Sequence, residues 1–214
     1  MSGIELWDNL IQMAVSLFGG VWMLLCSRGP GRRSCLFLSL ALQGWALGLL
    51  FHLIYLALRG YAAPPPNPSQ FVWSGAHLFY ISVIRSLNPG TSRGRPPRLA
   101  YLAPLLTLPF TLAWFFWDKE GSPLVNLLWG AGFAYIAFEI LRSLLHSMQR
   151  GEAWAARYHA LVLLMILFDE MVLLSGLFYQ RADFARMNAY YAFDFLVTLA
   201  LLLQPVALHK AVSA

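Results

Sequence analysis

Apolar runs about as long as a bilayer is thick succeed one another along the chain, separated by short polar joints. A spanning helix needs roughly 20 mainly apolar residues, because lipid offers the backbone no hydrogen-bond partner and the helix must satisfy its own N–H and C=O groups. Seven segments fit, at about 9–26, 35–58, 71–87, 99–117, 123–147, 158–180 and 187–208. The third is short, and the fourth carries Pro104 and Pro109. Composition agrees, since 59% of the 214 residues are hydrophobic and only 12% are charged, where soluble domains carry about a quarter charged residues. The expected fold is all-α, a single polytopic membrane bundle of seven transmembrane helices over residues 1–214.

Orientation follows from the loops, because Lys and Arg near span ends are retained on the cytoplasmic side. One set of joints and inner helix ends holds Arg28, Arg32, Arg33, Arg85, Arg93, Arg95, Arg98, Arg142, Arg150, Arg157 and Lys210. The opposite set holds Arg59, Lys119, Arg181 and Arg186, accompanied by Glu5, Asp8, Asp118, Glu120 and Asp183. The N-terminus is therefore expected outside, the C-terminus inside, and the protein in the cell membrane as a multi-pass chain. The same asymmetry accounts for the net charge of +5, through attraction to anionic inner-leaflet lipids. Nucleic acid need not be invoked as a partner.

The opening MSGIELWDN is acidic where a secretory signal would be positive, so the first helix is expected to remain in the mature protein. Cys26 and Cys35 flank SRGPGRRS on the reducing side and read as free thiols. No CxxC pair, zinc spacing, phosphate loop or nucleophile elbow occurs. Trp7, Trp22, Trp73, Trp114, Trp117, Trp129 and Trp154 lie largely near span boundaries, where amphipathic rings anchor helices at the interface.

The informative residues are the polar groups inside the spans, since ionisable side chains are costly there and face the bundle interior or a wet cavity. At about 1.5 Å per residue, His52, His77 and Asp194 sit at similar depths in the outer halves of helices 2, 3 and 7. If helix 7 approaches helices 2 and 3, the three line one outward-facing pocket. Helical spacing adds companions on the same faces: Gly48 and Tyr55 with His52, Trp73 and Tyr80 with His77, Tyr190 and Thr198 with Asp194. The candidate ligand-binding set is thus His52, Tyr55, His77, Tyr80, Tyr190 and Asp194. These groups could equally hydrogen-bond across helices and hold the bundle together. A histidine at its unperturbed pKa of about 6.5 would make binding vary between roughly pH 5.5 and 7.5. Two histidines without further ligands define no haem or metal site, and no cofactor is expected.

A second group is the intramembrane charge network Glu139, Arg142, Asp169 and Glu170. Glu139 and Arg142 stand three apart on one face, together with Tyr135 and His146, and read as an internal ion pair. Asp169 and Glu170 in LFDEMVLL are adjacent and point about 100° apart, so only one is expected to face the interior.

The stretch GWALGLLFHLIYLALRG, a proline-rich loop, then SQFVWSGAHLFYISVI resembles the multi-helix membrane sensory modules that precede diguanylate cyclase or histidine kinase domains in bacterial signalling proteins. Trp45, Ala46, Leu47, Gly48 and Tyr55 match that pattern, as do Pro68, Ser69, Ala76, Phe79 and Tyr80. His77 stands where those modules commonly carry aspartate, and Leu49 where they often carry a second acid. The likeness covers about a quarter of the chain and includes no output domain. Lacking that domain, the resemblance transfers no signalling activity by itself, and the first reading is a small sensory or accessory subunit that binds an unidentified small ligand in its outer half and passes the change to a partner protein or a second copy.

Two other classes stand beside it. Seven helices with N outside and C inside also resemble the arrangement of SWEET sugar transporters, although their proline-glutamine signature is not evident and helices 1 to 3 do not repeat in helices 5 to 7. An intramembrane enzyme would need a catalytic constellation that the sequence does not display, and no catalytic residue is assigned.

Overall fold

The computed structural model describes residues 2–29, 31–60, 67–88, 96–117, 123–179 and 181–213. Seven α-helices make up almost all of it: α1 (Gly3–Cys26), α2 (Arg32–Arg59), α3 (Pro68–Leu87), α4 (Leu102–Trp117), α5 (Pro123–Gln149), α6 (Ala153–Gly176) and α7 (Ala189–Ser213). Short 3-10 turns at Arg98–Tyr101 and Arg181–Ala185 precede α4 and α7. No strand occurs among the described residues.

Helix ends differ from the apolar windows because capping, rather than hydropathy, fixes where a helix starts. Ser2 caps α1 through a reciprocal box with Glu5, which adds a polar first turn ahead of the apolar run. Asn67 and Gln70 form the same box on α3, with Pro68 in the first turn, where its missing N–H costs nothing. Pro109 lies inside α4 without ending it. The proline-rich loop falls mostly outside the described residues.

Five helices, α1, α2, α5, α6 and α7, are long and apolar enough to cross a membrane. The side-chain distribution fits a hydrocarbon surrounding. In α1 the polar residues Asp8, Asn9, Gln12 and Ser16 are buried, while Trp7, Ile11, Phe18, Val21 and Trp22 are exposed. A helix in water turns its faces the other way round.

Contacts between elements arrange α1, α2, α3, α5, α6 and α7 in a closed ring, with α4 against α5 and α6. Half of the ring is filled. Leu38, Leu42, Tyr80, Ile84, Tyr158, Met165, Leu201 and Leu208 form a core with essentially no exposure. Toward the end where α1 begins, the ring opens around a cavity of about 440 Å³. That size suits a small molecule, since ligand pockets run from about 300 to 1,000 Å³.

Several polar groups elsewhere in the bundle pair within or between helices. Arg142 lies 3.9 Å from Glu139 in an ion pair along α5, and Arg85 donates to the Tyr135 hydroxyl at 2.6 Å. At the far end, the Asn88 amide reaches Ser147 at 3.0 Å and His159 at 2.9 Å, tying α3 to α5 and α6. The Trp154 ring receives both Arg157 and Lys210, each 4.3 Å from its centre. Cys26 and Cys35 are free thiols.

Candidate functional site

The cavity is walled by α2 and α3 on one side, by α6 and α7 on the other, and by residues of α1, α4 and α5 between them. His52, His77, Tyr190 and Asp194 line it together. Each of the two histidines lies beside an indole. The Trp73 ring lies 6.2 Å from His52, and the Trp45 ring stands edge-on to His77 at 5.6 Å. The Trp73 N–H donates to the Trp45 carbonyl at 3.3 Å, which fixes that ring across the helix pair. Gly48 makes this possible, since a Cβ at that position would run into the Trp73 indole.

His77 is 4% exposed, and its Nδ1 lies 2.8 Å from the Trp73 carbonyl one turn earlier. A carbonyl can only accept, so Nδ1 carries the proton and Nε2 is left as an acceptor. No protein group meets Nε2 among the described residues. Phe133 packs on the same imidazole edge-to-face at 5.0 Å and in turn meets Trp129 at 5.9 Å. Trp129 and Trp73 therefore wall the cavity instead of anchoring the bundle at its lipid boundary.

Asp194 is held by a group absent from the candidate set. The Gln12 amide donates to Asp194 at 2.7 Å and to Thr198 at 3.0 Å, while its carbonyl accepts from the Trp45 indole at 3.0 Å. One glutamine thus joins α1, α2 and α7. Asp8, 1% exposed, lies beside Asp194, and neither of its carboxyl oxygens receives a hydrogen bond among the described residues. The signal was present in the sequence: Asp8, Gln12 and Ser16 recur every four residues, a polar stripe like those on α2, α3 and α7.

Tyr55 and Tyr80 do not line the cavity. Each stands three residues from its histidine, which displaces it along the helix by about 4.5 Å. For Tyr80 that step leads into the filled core, where it is fully buried. The expectation for Asp169 and Glu170 is also corrected, because both line the cavity. Two neighbours about 100° apart cannot face one helix, but α6 here borders an open space wide enough to receive both.

The described lining contains three carboxyl groups, those of Asp169, Glu170 and Asp194, and no Lys or Arg. The salt bridges among the described residues, Arg142 with Glu139 and Arg150 with Glu152, lie elsewhere. Nor do three His, Cys, Asp or Glu side chains converge closely enough among the described residues to hold a metal ion. Aromatic walls, amide and carboxyl groups are suited to binding and holding a small molecule.

Comparison with protein-family models, curated proteins and solved structures gave no match. The likeness of residues 44–84 to sensory modules rests on those residues alone.

Proposed function

We propose that the chain is a seven-helix integral membrane protein, N-terminus outside and C-terminus inside, which binds a small ligand in an outward-facing cavity. It works as a sensory or accessory subunit, passing occupancy of that cavity to a partner protein or a second copy. The observation that carries this reading is the cavity itself, polar and aromatic within, at the end of the ring where α1 begins. Its floor is the packed core around Leu42, Tyr80, Met165 and Leu201, which favours a binding site closed below over a passage through the bundle. Two helices fall outside the five that are long and apolar enough to span. The 20 residues of α3 pack against α2, and the 16 of α4 continue the turn Arg98–Tyr101, so each is carried across by its neighbours.

The orientation rests on eleven Lys and Arg at one set of joints against four at the other. A reporter fused after Ala214 is expected to be active in the cytoplasm only; activity outside would reverse the assignment. Access to the cavity gives an independent check. With Cys26 and Cys35 replaced by alanine, a cysteine introduced at the cavity-lining Gly176 is expected to react with a membrane-impermeant maleimide added to intact cells. Labelling confined to inside-out vesicles would place the opening on the wrong side. Accumulation in vesicles of a compound that binds the cavity would replace the sensory reading with transport.

A further inference from the structure

The chemistry of the lining narrows what can enter. We propose that the cavity takes a small organic cation, an amine protonated at neutral pH, carried on an apolar or aromatic body; this deepens the ligand-binding reading above and rests on it.

Three observations converge. The first is charge: three carboxyl groups line the space with no described Lys or Arg beside them. Glu170 is 3% exposed and lies in no ion pair among the described residues, and no hydrogen bond from a described side chain reaches it. A buried carboxyl without a partner is costly, and a cation entering the cavity relieves that cost. The second is the acceptor of His77. Its Nε2 is buried, meets no donor among the described residues, and belongs to a ring on the cavity wall. Carboxylates and this nitrogen all accept hydrogen bonds, so the matching ligand donates them. An ammonium group does so, whereas an anion would meet the three carboxyl groups with no described Lys or Arg to offset them.

The third observation is the wall. Trp45, Trp73, Trp129 and Phe133 all face the cavity. Indole faces attract cations and bury apolar surface, which suits an ammonium ion on a hydrocarbon or aromatic frame. A bare metal ion fits neither the cavity of about 440 Å³ nor the lining, where no three ligating side chains converge among the described residues. Asp194 is fixed by Gln12 on α7, while Asp169 and Glu170 line the same space from the adjacent α6.

The test compares three molecules of one shape and different charge on the purified full chain in lipid nanodiscs: 2-phenylethylamine, 2-phenylethanol and 3-phenylpropionate. Binding is read from tryptophan fluorescence, since three indoles line the site. The amine is expected to bind at least about tenfold tighter than the alcohol, from charge-assisted hydrogen bonds and the aromatic walls together. Glu170→Gln, which keeps the shape of the side chain, should remove most of that preference, with the amine losing far more affinity than the alcohol. Asp169→Asn, at a half-buried position that tolerates exchange more readily, should reduce it in the same direction. Equal binding of amine and alcohol, or preference for the carboxylate, would overturn the cationic ligand while leaving a ligand-binding cavity in place. Failure of all three to change the fluorescence would overturn both.

Discussion

Gln12→Leu is expected to destabilise the bundle by about 3 kcal/mol, read as a loss in the midpoint of thermal unfolding in detergent or nanodiscs. The substitution strips the Trp45 indole of its acceptor and Asp194 of its donor. A buried polar group left without a partner costs about 1–3 kcal/mol, and lipid cannot supply a replacement. Gln12→Glu separates the two halves of this effect. It keeps an oxygen for the Trp45 N–H but sets a further acid beside Asp8 and Asp194, whose carboxyls already adjoin. Adjoining buried carboxyls cannot all ionise without strong repulsion, so the glutamate variant should be no more stable than the leucine variant. A leucine variant as stable as the parent would show that the α1–α2–α7 junction is held by packing alone.

Gly48→Ala is expected to lower stability by about 1–3 kcal/mol, the range for overpacking a close contact. Intrinsic preference runs against this, because alanine is about 1 kcal/mol better than glycine inside a helix. Geometry decides the sign. The added Cβ meets a rigid indole that is itself hydrogen-bonded to the Trp45 carbonyl, so Trp73 must leave its seat. Since Trp73 also walls the cavity beside His52, the variant should weaken ligand binding and shift the tryptophan emission together. A more stable Gly48→Ala protein with unchanged emission would place the two helices farther apart than described.

Both substitutions touch groups that the sequence makes visible to different degrees. Gly48 stands out as a small residue one turn before His52. Gln12 had to be read from a polar stripe on a helix whose first turn looks like a tail. That turn is helical because Ser2 and Glu5 cap it, and a hydropathy window cannot register a cap. The ion pair of Glu139 with Arg142 is a local matter of spacing and was legible as such. The shared cavity of Asp169 and Glu170 was not, because it depends on the width of the space α6 borders.

The sequence by itself determined that the chain is helical, which segments form the helices, and that groups such as His52, His77 and Asp194 belong away from lipid. Those outcomes depend on the length of apolar runs and on the cost of an unpaired polar group in hydrocarbon, both properties of a single segment. Only the tertiary structure decided that α1 carries Gln12 to both Trp45 and Asp194, that α4 packs outside the ring, and that Tyr80 lies in the filled core while Trp129 walls the cavity. The reason is physical. Lipid tails are as apolar as leucine side chains, so hydropathy carries no information about which helix a given face will meet. That choice is made by close contacts such as Gly48 against Trp73 and by hydrogen bonds between residues as far apart in the chain as Gln12 and Asp194.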